Sequence, residues 1–464
     1  MTTDPTLYKT IWKPQPKQEL FITCPIFDVM FGGARGGGKT DALLGDFAVH
    51  GQTYGRLAKG ILFRKTMPEF EEVISRSKEI YNKIGARFLQ QKSTWIFPNG
   101  ATLKLRYLKK ESDAENYQGH SYTWVGVDEI GNFASPDPID LLRATLRSGS
   151  GVPTFFRASC NPGGRGHNWI KQRYIDQSPP MIPYYSDEIQ DYRVFIPSKL
   201  QDNLALVNND PNYQKRVKSA AGEAEWLAKA WLDGDWDIVA GGMFDDLWKR
   251  DIHVIRPFKI PHTWYIDRSF DWGSSAPFSV GWWAESNGDP AISVEGKKLY
   301  FPKGTLIRIG EWYGWNGTPN KGIRMADSAI AEGIISREKK MGIHSRVKPG
   351  PADSAIFGTA TEEQMAMMGV QWTKSDKQTV GRAAGWLLMR SYMHNSRYSP
   401  REKPGMYVFG NCMQFIRTVP SLLRDSSNLD DVDTTTEDHI GDEVRYRCST
   451  KKARGFVEKA TGSY

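Results

Sequence analysis

Short apolar runs alternate with amphipathic stretches through the first half of the chain, the period expected of a parallel sheet covered by helices. Residues 26–31, 60–63, 122–127 and 154–159 read as buried strands, and 69–84 as a helix. Residues 94–97 and 102–107 flank Pro98-Asn99-Gly100, a hairpin signal. A helix over 213–232 ends at Asp233-Gly234-Asp235. Residues 241–262, with Gly241-Gly242, Pro257 and Pro261, read as a connector. Beyond it lie strands at 264–270, 279–284, 291–294 and 305–312, then a Gly/Pro-rich patch around Asp353, two helical stretches and an acidic segment. The pattern predicts an α/β protein of two domains, 1–240 and 263–464.

Composition narrows the class. Hydrophobic residues make up 39% of the 464, with 16 Trp, 19 Tyr and 21 Phe, enough to build cores and to exclude wholesale disorder. No run approaches about 18 apolar residues, so no membrane span is expected. The first twenty residues lack a signal-peptide pattern, and four scattered cysteines form no metal or disulfide spacing, so a reduced cytoplasmic protein is expected. The net charge is +8, compatible with a polyanion partner. Its distribution matters more: 371–420 hold eight Lys/Arg against two acids, and 425–443 hold eight acids and no Lys/Arg. Basic ground beside acids suits a metal-dependent site acting on a phosphate polymer; two solvated loops of opposite sign are the plainer reading.

The most specific motif is Gly33-Ala34-Arg35-Gly36-Gly37-Gly38-Lys39-Thr40, a complete GxxxxGK[ST] between a strand and a helix. Its glycines let backbone N–H groups curl around phosphates of ATP, Lys39 reaches the β- and γ-phosphates, and Thr40 is placed to ligate Mg²⁺. About 90 residues on, the run 122–127 ends in Asp128-Glu129. Asp128 is expected in the Mg²⁺ shell, and Glu129 to orient or deprotonate the attacking water, which favours a hydrolase over a kinase because water is then the phosphoryl acceptor. Gln18, and less so Gln15, stand where an amide could read adenine. Ser159 and Asn161 end the next strand, where polar groups would sense the γ-phosphate; a simple turn is the alternative.

With GGARGGGKT, VGVDE, SCNP, LDGDWD, FDWG, PADSA and DHIGDEVRY in this order, the chain resembles the large terminase subunit of tailed bacteriophages over nearly its whole length. The resemblance implies an ASCE-type P-loop ATPase domain followed by a ribonuclease H-like nuclease domain. It implies a motor that drives double-stranded DNA into a procapsid and cuts concatemers with two Mg²⁺ or Mn²⁺ ions. It further implies a portal protein and a small terminase subunit as partners, a homo-oligomeric (pentameric) ring, and a place in the host cytoplasm and transiently on the procapsid, outside the mature virion.

For the nuclease, Asp271, Asp353 and Asp442 are 82 and 89 residues apart, so only a fold can gather them, and their mutual repulsion then calls for metal. Oxygen ligands favour Mg²⁺ or Mn²⁺ over zinc. Asp267 shares a strand face with Asp271 and is a rival, with Asp271 preferred because the resemblance matches Asp271-Trp272-Gly273. His439, three residues before Asp442, is a further ligand by resemblance or a packing residue; Asp438 and Glu311 are further candidates. Arg35 touches the γ-phosphate or braces the loop. No Arg stands in Tyr117-Gln118-Gly119-His120, so Arg143 and Arg147 are only nominees for an arginine finger. Lys374, Lys377 and Arg382 are expected on the DNA backbone, in contacts that are sequence-blind and salt-sensitive. A superfamily-2 helicase is the rival reading, since Gln378-Thr379-Val380-Gly381-Arg382 imitates part of its arginine motif; a structural phage protein with a decayed ATP site is another.

Overall fold

The structure is a computed structural model that describes residues 12–221, 232–236, 242–375, 381–425 and 427–450. It divides into two compact units, Met1–Ala240 and Gly241–Tyr464.

The first unit is built on β1 (Asp28–Gly33), β2 (Lys59–Arg64), β3 (Arg87–Leu89), β4 (Thr94–Ile96), β5 (Thr102–Tyr107), β6 (Trp124–Val127), β7 (Phe155–Cys160), β8 (Tyr184–Ser186) and β9 (Asp191–Ser198). Helices α1 (Pro16–Ile22), α2 (Lys39–Tyr54), α3 (Met67–Tyr81) and α4 (Asp137–Arg143) accompany them. The strand order is β3–β4–β5–β2–β6–β7–β1–β9–β8. From β5 to β9 neighbours are parallel, while β3, β4 and β8 add antiparallel edges. β1 and β6 are buried along their whole length, as parallel strands covered on both faces must be. Alternation sends Val29 and Phe31 into one apolar layer with Phe47 and Trp124, and Met30 into the other with Ile61 and Phe133. The expected hairpin is β4–β5, and β9 is an addition to the expected strands. Of the helix expected at 213–232, Tyr213–Ala221 is helical and 222–231 lie outside the described residues.

One feature of this order positions chemistry. β7 stands between β1 and β6, the extra strand of an ASCE-type ATPase. Because β1, β6 and β7 are parallel, the loop after Gly33, the Asp128-Glu129 pair and Asn161 all leave one edge of the sheet.

The second unit holds β10 (Val254–Ile255), β11 (Tyr265–Asp271), β12 (Ser279–Glu285), β13 (Ala291–Ile292), β14 (Lys298–Leu299), β15 (Leu306–Tyr313), β16 (Val347–Lys348), β17 (Pro351–Ala352), β18 (Thr373–Lys374) and β19 (Met406–Phe409). β11, β12 and β15 form an antiparallel meander, β17 joins β11 in parallel, and β18 joins β17 in parallel. Counting from β11, the order is third, second, first, fourth, fifth, which is the ribonuclease H-like arrangement. β19 and β10 extend it beyond β15. A helicase needs a second parallel ATPase lobe here, and an antiparallel meander cannot be one. The segment expected as a connector supplies Met243, Phe244, Leu247, Phe258 and Ile260 to this unit's core, because its apolar positions are covered by the sheet.

Candidate active sites

The phosphate loop is shaped by backbone that side chains would obstruct. Gly33 has φ 137°, and a Cβ there would fall 2.2 Å from the Ser198 carbonyl oxygen. Gly38 caps α2 in the left-handed region, with φ 73°. The loop is braced from behind: the Ala34 N–H donates to the Ser198 carbonyl at 2.7 Å, and Asn203 Nδ2 donates to the Gly36 carbonyl at 2.7 Å. Gln18 is buried against the same loop. Its Nε2 donates to the Gly38 carbonyl at 2.7 Å and its Oε1 accepts from the Gln15 N–H at 2.7 Å. The amide expected to read adenine is thus engaged with the loop itself. Arg35 is exposed on the loop, and Gly37 is buried beneath it.

Lys39 Nζ donates to Asn161 Oδ1 at 2.7 Å and to the Ala34 carbonyl at 2.6 Å. Asn161 Nδ2 in turn donates to both Glu129 oxygens, at 2.9 and 3.0 Å. Thr40 Oγ1 donates to Asp128 Oδ2 at 3.0 Å, and Ser159 Oγ donates to Asp128 Oδ1. The Glu129 N–H donates to Ser159 Oγ at 3.1 Å. The loop, the acid pair and both Ser159 and Asn161 therefore form one hydrogen-bonded set. Glu129 itself sits in left-handed backbone (φ 55°, ψ 52°), a conformation costing a non-glycine residue about 1 kcal/mol or more, held because its side chain and N–H are both tied. Burial lowers the Lys39 pKa, opposed by Glu129. Burial, then the neighbouring Asp128 charge, raises that of Glu129, opposed by Lys39 and Arg64.

Sequence reasoning missed Arg64. From the end of β2 its Nε and a terminal nitrogen both reach Asp128 Oδ2 at 2.8 Å, buried beside the acid. A lone Arg closing a strand carries no motif; only the neighbouring register of β2 and β6 reveals it. Arg143 is not placed as a finger. It is buried, 3.3 Å from Asp28 at the start of β1, the end of the strand opposite the loop. Arg147 is exposed and donates to the Gly119 carbonyl.

In the second unit, β11 and β17 end side by side, with the Asp353 N–H donating to the Phe270 carbonyl at 2.9 Å, so Asp271 and Asp353 leave the same edge. The C-terminal helix His439–Ser449 lies over this face. Asp271, Asp353, Asp438, His439 and Asp442 line one open cleft of about 490 Å³, with Trp272, Arg382, Thr434, Arg445 and Tyr446. Tyr446 donates to Asp271 Oδ1 at 3.2 Å, and His439 Nδ1 is 3.4 Å from Asp271 Oδ2. Burial, and then the Asp442 and Asp353 charges against the opposing His439, leaves the Asp271 pKa pushed up to about 6. Burial and then Asp442 push Asp438 up to about 7. Asp267, on the same strand, is paired with Arg447 at 2.8 Å and lines no part of the cleft. Glu311 accepts from the Gln414 and Phe415 N–H groups at 2.6 and 3.0 Å, closing the start of another helix.

The cleft also corrects one expectation. Arg382, expected on DNA, turns inward onto the acids: Nε to Asp431 at 2.6 Å, and its two terminal nitrogens to Asp442 at 2.8 Å and Asp438 at 2.9 Å. Its fork finds there the carboxylates that DNA phosphates would otherwise replace. Among the described residues no three His, Cys, Asp or Glu side chains stand close enough to hold one metal ion. The donors suit Mg²⁺ or Mn²⁺ in kind, being oxygens with one imidazole, and the Arg382 guanidinium bonds to two of them, Asp438 and Asp442. Lys374 is exposed on β18 in register with Ala352, one residue before Asp353. Lys377 lies outside the described residues.

The first unit is thus of the P-loop ATPase class and the second is ribonuclease H-like. Residues 30–250 match the family described as terminase large subunit, T4likevirus-type, N-terminal. The match covers somewhat under half of the chain and lies almost wholly in its first unit. Among solved structures, the large terminase of a thermophilic bacteriophage in complex with ADP is similar at 17% identity, over 94% of this chain and 98% of that one, with a TM-score of 0.41. The bacteriophage HK97 large terminase is similar at 12% identity over 96% of each chain, with a TM-score of 0.44. The P22 large terminase nuclease domain is similar at 15% identity over 45% of this chain and 90% of that one, with a TM-score of 0.31. No curated protein matches.

Proposed function

We propose that the chain is the enzyme of a viral DNA-packaging machine: ATP hydrolysis in the first unit drives duplex DNA into a procapsid, and the second unit cuts the DNA. The observation that carries the reading is the hydrogen-bonded chain Lys39–Asn161–Glu129, which ties the lysine of the glycine loop to the acid at the end of β6. In this reading ATP is the substrate. Lys39 steadies its β- and γ-phosphates, Glu129 accepts the proton of the attacking water, and Asn161 and Ser159 pass the change at the γ-phosphate to β7. Asp128, with Thr40, would hold Mg²⁺; Asp271, Asp353 and Asp442, with His439, would hold two Mg²⁺ or Mn²⁺. Divalent ions, when bound, supply charge neutralisation for the phosphates and a more acidic water. The partners that go with this activity are double-stranded DNA, a portal protein, a small terminase subunit and further copies of the chain in a pentameric ring, in the host cytoplasm and transiently on the procapsid.

The test uses the full chain with linear duplex DNA and supercoiled plasmid. Lys39→Ala should abolish ATP turnover and leave Mn²⁺-dependent nicking; Asp271→Asn should do the reverse. A chain in which both substitutions leave both activities untouched overturns the reading.

A further inference from the structure

The acid cleft contains a cation of its own. Every nitrogen-bearing arm of Arg382 is committed to a different carboxylate, and two of these, Asp438 and Asp442, line the cleft one helical turn apart. Asp442 is held on both sides, since its second oxygen accepts from Arg445 Nε at 3.1 Å. The third carboxylate, Asp431, is pinned separately by the Trp386 indole N–H at 2.8 Å. Arg382 is therefore anchored at Asp431 and extends two arms across Asp438 and Asp442.

Its position is not explained by its helix. Arg382 is the first residue of the helix Arg382–Asn395, where the partial positive charge of the helix end disfavours a cation. The acids hold it there. Buried carboxylates this close repel, and a positive group between them is required when both are ionised. The guanidinium meets that need through Asp442 Oδ2 and Asp438 Oδ2.

We propose that Arg382 is an internal counter-ion that closes the cleft to divalent metal, and that the metal set assembles only when its guanidinium withdraws. This rests on the nuclease reading above and adds a regulation to that site. Arg382 keeps 28% of its side chain exposed, so withdrawal needs no repacking of the core. Removing it leaves only Arg445 beside Asp442 and His439 beside Asp438 to offset the two charges, which strengthens their demand for another cation.

The experiment is Mn²⁺ binding to the full, nucleotide-free chain, followed by titration calorimetry, in wild type, Arg382→Gln, Asp271→Asn and the double variant. Arg382→Gln should bind Mn²⁺ about tenfold tighter or more than wild type, the scale of one charge-assisted hydrogen bond removed from competition. The double variant should lose that gain, which assigns it to the cleft. Arg382→Lys, which keeps the charge but cannot span three carboxylates, should lie between; it carries the test alone should Arg382→Gln fail to fold. Binding that depends on Asp271 but is unchanged or weaker without Arg382 overturns the latch and leaves the nuclease reading standing. No Asp271-dependent binding in any of the four chains overturns both.

Discussion

Asn161 and Glu129, from the ends of neighbouring strands, are joined twice: one amide nitrogen donates to both carboxylate oxygens, at 2.9 and 3.0 Å. The same amide offers its oxygen to Lys39 at 2.7 Å. The acid, the lysine and the strand β7 are thereby held by a single side chain, and its removal separates them.

Asn161→Ala is expected to lower kcat about tenfold to a hundredfold with a much smaller change in KM, because it misorients Glu129 while leaving the loop. The pH profile supplies the sign. In the proposed role Glu129 acts deprotonated, so the rate rises with pH through its pKa, which burial and Asp128 already raise. Asn161 donates to the charged form and so lowers that pKa; without it the acid limb moves to higher pH. Steady-state kinetics across pH check this, and an unmoved limb refutes it.

Gln18→Ala removes a donor to the Gly38 carbonyl, costing about 1 kcal/mol of local stability. A loosened loop weakens every nucleotide alike, so KM for ATP and GTP should rise together. A selective loss of ATP over GTP would instead restore the adenine-reading role.

Arg143→Ala should destabilise the first unit by about 1–3 kcal/mol, since it removes one of the two arginines facing the buried Asp28 carboxylate and leaves Arg193 at 2.9 Å. Urea unfolding measures it. A variant that unfolds like wild type yet loses turnover only in an assembled ring would show Arg143 acting as a finger on a neighbour.

Asp438 has a folded pKa of about 7 against an ordinary value near 3.8. A carboxyl raised in the folded state favours folding at low pH, and that advantage is lost as pH rises from the ordinary value through the folded one. Asp438→Asn, which mimics the protonated form, should therefore gain stability relative to wild type between about pH 5 and pH 8. Unfolding midpoints in chelator at the two pH values test this; a gap that does not widen with pH refutes it.

Much of the first site was legible in the sequence because its geometry is local. A strand, a glycine loop and a helix follow one another directly, so GGARGGGKT fixes its own shape, and a buried run ending in Asp128-Glu129 can finish only at a strand end. Arg64 was not legible, since its meeting with Asp128 depends on which strands are neighbours. The second site shows the same divide more sharply. The chain alone nominated Asp271, Asp353 and Asp442, and could not separate Asp271 from Asp267, because two residues four apart on a strand share a face. The tertiary structure separated them by what covers that face: Tyr446 and His439 at one, Arg447 at the other. It also moved Arg382 from an expected DNA contact to the centre of the acids. Residue type and spacing determined which groups could carry charge. Only the packing of one helix against β11, and of another beside it, decided which charges neutralise each other, because such pairing depends on distances of a few ångströms between segments far apart in the chain.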